Sequence, residues 1–348
     1  MITFFNHKHV LHQGRQEMFR GQMVPCFELA ARADHVLSEL TGRKLGPVQA
    51  PPAFDDAVLE RIHTPEYLHF LRHAWADWVA LDPANVDRDA LPSVWPNHGL
   101  RKDRVPTNFA ARMGLYAFDT GSPLTSGTWE AAREGAGCAL AAARNVAEGA
   151  RAAFALSRPP GHHAGADFFG GYCFLNNAAL AAQALRDHGL ERVAVLDVDY
   201  HHGNGTQAIF YERADVLVTS IHGDPQTEYP FFLGHSDETG LGAGAGYNFN
   251  MPLPRGSGFD VWREALRFML RRVADYRPQA LVVSLGLDSF EGDPISGFRL
   301  RSPDYFTVGG DIARAGLPTV FVFEGGYAVA QLGMNAVNVL EGFERRAA

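Results

Sequence analysis

The stretch Leu196-Asp197-Val198-Asp199-Tyr200-His201-His202-Gly203-Asn204-Gly205-Thr206 decides the reading of this chain. It continues the apolar run Val193-Ala194-Val195-Leu196, which has the character of a strand buried in a parallel sheet. Side chains two apart on a strand share a face, so Asp197, Asp199 and His201 point the same way. Unpaired charges are rarely fully buried, and a bound cation is the simplest compensation for two carboxylates and an imidazole at a strand end. The mixture of nitrogen and oxygen donors suits zinc or a similar divalent ion better than calcium or magnesium. A hydrogen-bonded strand terminus is the plainer alternative for this segment taken alone.

Further strand-like runs recur at Ala152–Leu156, Val216–Ile221, Ala280–Leu285 and Thr319–Phe323. Segments of helical period lie between several of them, at Asn177–Asp187, Val261–Tyr276 and Tyr305–Ala315. Such alternation predicts an α/β fold with a central, mostly parallel sheet and helices on both faces. Nothing of linker composition divides the 348 residues, so one domain over 1–348 is expected. One region departs from the pattern. Between Trp75 and Trp129 the chain carries five prolines and little periodicity, yet it is rich in aromatics. It reads as an ordered excursion at about 75–129 that packs on something.

Ligands of open parallel sheets bind outside the carboxyl ends of the strands. Four runs deliver polar residues there: Arg158-Pro159-Pro160-Gly161-His162-His163, Asp197 through His201, Gly286-Leu287-Asp288, and Glu324-Gly325-Gly326-Tyr327. Asp199, His201 and Asp288 offer three protein ligands and leave the open position that a catalytic zinc needs. His162 and His163 supply general acid and base capacity. Tyr327, on a Gly-Gly turn, can donate to a developing oxyanion. Together these residue types describe metal-assisted hydrolysis of an amide or similar acyl bond.

Composition narrows the remaining classes. The net charge of −8, with both signs interspersed, disfavours nucleic acid and mildly favours cationic ligands. Cys26, Cys138 and Cys173 form neither a disulfide framework nor a zinc knuckle, and fit a reducing compartment. The N-terminus lacks the pattern of a signal peptide and no run of about 18 apolar residues occurs, so a cytoplasmic protein that spans no membrane is expected. The glycine-rich Gly240–Gly246 follows no strand and opens no helix, which argues against a dinucleotide loop. No Gly-x-Ser-x-Gly is present, which disfavours a serine hydrolase.

The four deliveries, in this order, resemble the zinc-dependent histone deacetylase family of the arginase/deacetylase superfamily. Val24-Pro25-Cys26-Phe27-Glu28, Gly127-Thr128-Trp129-Glu130, Phe169-Gly170-Gly171-Tyr172-Cys173-Phe174 and His222-Gly223-Asp224-Pro225 are similar to bacterial acetylpolyamine amidohydrolases within that family. The resemblance implies one catalytic zinc on Asp199, His201 and Asp288, with Tyr327 polarising the carbonyl. It makes His163 the general base and later acid, and His162 its electrostatic partner. Asp197 and Asn204 stand behind His162 and His163 respectively. Many eukaryotic relatives carry Asp at the Asn204 position, and the amide implies a less basic His163. Two potassium sites are implied: one at Asp197, Asp199, His201, Ser220 and Ile221, a second at Phe210, Arg213, Val216 and Tyr247. Gly171, Tyr172, Tyr229 and Glu17 are expected to line a narrow channel for a methylene chain.

The substrate implied is a small acetylated amine, such as an acetylpolyamine, acetylputrescine or acetylcadaverine, and the excursion implies a homodimer. The acidic residues that greet the ammonium in the best-known polyamine enzymes fall near Ala110 and Gly121, with only Asp119 close by. A short diamine needs less of that acidic surface. Three alternatives stand beside this reading. A protein or peptide acetyl-lysine deacetylase would differ in the width of its entrance. An arginase-like ureohydrolase needs two manganese ions and a second aspartate two residues after Asp288, where the chain has Phe290. A non-catalytic acetyl-ligand sensor should have lost a ligand, a histidine or the tyrosine, and all are present.

Overall fold

Eight strands and the helices that cover them make one α/β domain in the computed structural model, which describes residues 1–347. In chain order the strands are β1 (Ile2–Phe5), β2 (Gln16–Phe19), β3 (Gln22–Pro25), β4 (Val48–Gln49), β5 (Ala152–Leu156), β6 (Val193–Asp197), β7 (Val216–Gly223), β8 (Asn248–Leu253), β9 (Ala280–Leu285) and β10 (Thr319–Phe323). All but the β2–β3 hairpin join one sheet in the order β4-β1-β5-β10-β9-β6-β7-β8. Every neighbouring pair in it runs parallel. The sheet is therefore wholly rather than mostly parallel, and β1, β4 and β8 extend it beyond the five strands that hydrophobic runs reveal.

Strand alternation divides the core into two layers. Ala153, Ala155, Val193, Val195, Val282, Val320 and Val322 face one layer, and Phe154, Leu196, Leu281, Val283, Phe321 and Phe323 the other. The first layer is covered by the helices α2 (Pro65–Leu81), α3 (Phe109–Tyr116), α4 (Thr128–Ala147) and α5 (Asn177–Asp187). Alanine dominates the buried side of α4 and α5, which lets both approach the sheet closely. The second layer is covered by α1 (Ala31–Gly42), α7 (Phe259–Tyr276), α8 (Ser302–Ala313) and α9 (Val329–Ala347), while the short α6 (Asn204–Phe210) follows β6.

The excursion differs from its reading in one respect. Trp75 and Trp78 belong to α2, whose apolar face (Tyr67, Leu68, Phe70, Leu71, Ala74) is continuous through them. Pro83, just past the end of α2, starts a short 3-10 turn instead. Beyond it the segment holds α3 and pairs through Ala90 with Leu124.

Candidate active site

The four polar deliveries leave β5, β10, β9 and β6, which are adjacent in the middle of the sheet. Their carboxyl ends therefore meet without any long loop to bring them together. At the end of β6, Asp199 Oδ1 accepts the His201 N–H at 2.9 Å and Asp199 Oδ2 accepts the Gly325 N–H at 2.9 Å. Asp288 Oδ1 accepts the Tyr200 N–H at 2.7 Å, and Oδ2 lies 2.9 Å from His201 Nδ1. Donor atoms of Asp199, His201 and Asp288 all lie within 4.8 Å of one another, and the three residues are buried. Gly286 makes the close approach possible, since a Cβ there would stand 2.0 Å from Asp199 Oδ2.

The charge balance of this cluster fits a divalent cation. Burial and the Asp199 charge push the Asp288 carboxyl up to about 8. Burial opposes charge on His201 as well, yet Asp199 and Asp288 outweigh it and lift the ring to about 10. Two buried carboxylates thus hold positive charge between them, and one nitrogen and two oxygens suit zinc as donors.

Behind the cluster stand the paired histidines, ring centroids 4.0 Å apart. His162 Nδ1 lies 2.9 Å from Asp197 Oδ2, and His163 Nδ1 lies 2.7 Å from Asn204 Oδ1. Burial disfavours both imidazolium forms. For His162 the charges of Asp199 and Asp197 prevail and raise it to about 10. His163, with burial first and the charges of His162 and His201 next, is held well below its ordinary value. The turn carrying them is tied down by Glu324, whose Oε2 accepts the N–H groups of Gly161 at 2.6 Å and His162 at 3.1 Å.

A cavity of about 520 Å³ leads to this chemistry. His163, His201 and Tyr327 line it, as do Glu17, Gly171, Tyr172 and Tyr229. Gly171 has φ +55°, and a Cβ on it would stand 2.2 Å from His163 Cδ2, so glycine is required both by conformation and by space. Tyr172 packs edge-on to Tyr327 and Tyr229 edge-on to His163. Each channel tyrosine donates to a carboxylate at 2.7 Å, Tyr172 to Glu17 and Tyr229 to Asp119. Burial pushes Glu17 up to about 7 and raises Asp119 as well.

Several working residues carry no motif. Asp119 Oδ2 accepts both the Tyr229 hydroxyl and the Gly171 N–H (2.8 Å), so this one acid of the excursion is part of the channel wall and not a free charge at the mouth. Asp293 Oδ2 holds the Tyr327 N–H at 2.7 Å, and its place before Pro294 in a glycine-containing loop was the available signal. Arg32 bonds the carbonyls of Gly326 and Glu324 and stacks on the Tyr327 ring at 4.8 Å. Its charge is met by Glu28, 2.7 Å away, which also binds Arg158 at 2.8 Å.

The residues implied for potassium are placed in two groups. Ser220 faces Asp197 across the β6–β7 pair, with Ile221 next to it. Phe210, Arg213, Val216 and Tyr247 surround the end of α6 and the start of β7, where Arg213 N–H bonds the Phe210 carbonyl at 2.9 Å and Val218 N–H the Tyr247 carbonyl at 3.0 Å.

Comparison with known proteins agrees with this geometry. Residues 27–343 match the histone deacetylase domain family. Acetylpolyamine amidohydrolase 2 of Pseudomonas aeruginosa is 54% identical over 344 residues, covering 99% of both chains. The acetylpolyamine amidohydrolase of Mycoplana ramosa is 46% identical over 342 residues, covering 98% of this chain and 99% of its own. The crystal structure of the acetylpolyamine aminohydrolase from Burkholderia pseudomallei superposes with a TM-score of 0.95 at 40% identity, covering 99% of each chain.

Proposed function

The chain belongs to the histone deacetylase family, and on that premise we propose that it hydrolyses the acetamide of small acetylated amines such as acetylputrescine, acetylcadaverine or acetylspermidine. One observation carries the reading: the cavity that ends on His163, His201 and Tyr327 is walled by Gly171, Tyr172 and Tyr229. Such a channel suits a slender methylene chain.

Asp199, His201 and Asp288 would hold a zinc ion, which would supply a Lewis acid for the acetyl carbonyl and for water. His163, held well below its ordinary value, takes the proton of the attacking water and returns it to the departing amine. His162, backed by Asp197, is the electrostatic partner of His163. Tyr327 donates its hydroxyl to the developing oxyanion; burial holds the phenol well above its ordinary value and so keeps the proton in place. Acetate and the free amine leave. Potassium at the two backbone-rich groups around β6, β7 and α6 belongs to the same proposal, as a structural ion.

We also assign a homodimer formed through the excursion and a cytoplasmic location. Six large apolar side chains stand exposed between residues 81 and 105 (Leu81, Val86, Val94, Trp95, Leu100, Val105), a concentration that favours burial on a second copy. The three cysteines are free, and no helix among the described residues is long and apolar enough to cross a membrane.

The test is a competition among acetylputrescine, acetylcadaverine, acetylspermidine and an acetyl-lysine peptide, with sedimentation in parallel. Small amines turned over far faster than the peptide by a dimer are expected. A monomer that deacetylates a folded acetylated histone as fast would overturn the reading.

A further inference from the structure

Beneath the catalytic histidines a second set of donors converges that the proposed reaction leaves largely unused. A ring nitrogen of His162, the Cys173 sulfur and a carboxylate oxygen of Glu324 lie within 4.8 Å of one another. All three residues are buried, at 2%, 0% and 0% exposure. Two of the three donors are oriented from behind. His162 Nδ1 faces Asp197, which leaves Nε2, 3.8 Å from Asp199 Oδ2, as the ring nitrogen able to ligate. Carboxylate–histidine–metal relays have this form. Glu324 Oε2 is fixed by two backbone N–H groups, while Oε1 is buried without a partner. The Cys173 thiol makes only a weak contact, 3.3 Å, with the Gly171 carbonyl. A bare carboxylate oxygen in the interior is costly, and a cation is one of the few things that satisfies it.

We propose that His162, Cys173 and Glu324 form a second, weaker site for a thiophilic divalent cation such as zinc or cadmium, whose occupancy inhibits the enzyme. Sulfur, nitrogen and oxygen donors in one group select such ions over magnesium or calcium. Zinc bonds of about 2.0–2.3 Å place tetrahedral donors roughly 3.3–3.7 Å apart, so donors within 4.8 Å of one another need close by no more than about 1.5 Å. Binding displaces two protons, one from the His162 imidazolium and one from the Cys173 thiol, while Glu324 enters as the carboxylate. Both losses weaken the site relative to Asp199, His201 and Asp288. Inhibition follows because drawing His162 and Glu324 onto the ion shifts the Gly161–His162 turn that Glu324 holds, and with it the neighbouring His163. The site shares His162 with the proposed reaction, and the inference stands whichever acetylated amine is the substrate.

The enzyme carrying one equivalent of zinc is titrated with cadmium, following the ultraviolet thiolate-to-cadmium charge-transfer band and, in the same samples, turnover of acetylcadaverine. The catalytic cluster contains no cysteine, so the band reports a thiolate elsewhere. One further equivalent is expected to develop the band and abolish turnover in step. Cys173→Ser should remove the band and weaken inhibition by at least about 10–100-fold, the range seen when the surroundings of a metal site are disturbed. Cys26→Ser should change neither. Glu324→Gln keeps an acceptor for the two N–H groups and removes the charge, so it should raise the inhibitory concentration by a similar factor; it carries the test if Cys173→Ser does not fold. No band in excess cadmium, a band that survives in Cys173→Ser, or inhibition unchanged in both variants would overturn the proposal. Turnover before cadmium is added reports the acetylated-amine reading separately.

Discussion

Asn204→Asp separates the roles of the two histidines. Both rings are buried and neighbouring, and they differ chiefly in what faces Nδ1: a carboxylate for His162 and an amide oxygen, 2.7 Å away, for His163. Aspartate is nearly isosteric with asparagine, so the substitution adds a charge with little change of shape. That charge would lie about 4 Å from the centre of a His163 imidazolium. At an effective permittivity of about 20 this is worth about 4 kcal/mol, or about 3 pK units. The sign is upward, because the carboxylate favours the protonated ring. A His163 that protonates more readily is unavailable as a base over more of the acidic and neutral range. The acid limb of the kcat/KM profile for acetylcadaverine should therefore move to higher pH by about one to three units, while the plateau above it changes little. An acid limb at the same pH in both proteins would refute His163 as the base and would return that role to His162.

Tyr327→Phe removes the oxyanion donor and should lower kcat about 100-fold or more with KM comparatively unchanged, as steady-state kinetics would show. Asp119→Asn leaves one acceptor oxygen for the Gly171 N–H and the Tyr229 hydroxyl; kcat/KM should fall roughly 10-fold through misplacement of the channel wall, and Tyr229→Phe should cost less. Glu28→Gln strips the counter-charge from two buried guanidinium groups and should destabilise the fold by about 3–5 kcal/mol in urea. Burial would raise the Glu28 carboxyl, but Arg158 and Arg32 outweigh it and hold it at about 2. Its stabilisation is thus complete above its ordinary value near 4.5 and lost as pH falls through 2, so wild type should lose stability over that window and Glu28→Gln should lose less.

The central sheet was legible because its strands are continuous apolar runs, as a sheet covered on both faces requires. β6, β9 and β10 appear in the sequence nearly as they fold, and the residues that follow them carry the proposed metal ligands and Tyr327. Two strands on one side of the sheet, β4 at its edge and β1 beside it, were not legible. β4 is two residues long, and β1 sits at the terminus among polar neighbours, so neither offers enough period to recognise. α2 overran the expected start of the excursion because Trp75 and Trp78 continue an apolar face begun at Tyr67, ahead of the proline-rich part.

Residues that touch the reacting groups announced themselves by clustering at strand ends, whereas those that hold them in place did not. Asp119, Asp293 and Arg32 lie on three unrelated segments, and each acts through contacts that exist only once the chain is folded: a tyrosine hydroxyl and a glycine N–H, the Tyr327 N–H, and the carbonyls of Glu324 and Gly326. An isolated aspartate in a loop has the same local signature whether it caps a turn or buries itself against an active site. Burial makes the difference. Asp119 and Asp293 are carboxyls whose ordinary values are raised by loss of water, and each retains its place by accepting donors from the channel or the tyrosine turn. The excursion is thereby coupled to the chemistry. Asp119 links it to Gly171, Gly171 lies against His163, and any displacement of the excursion, including by the proposed pairing with a second copy, would be felt at the proposed general base.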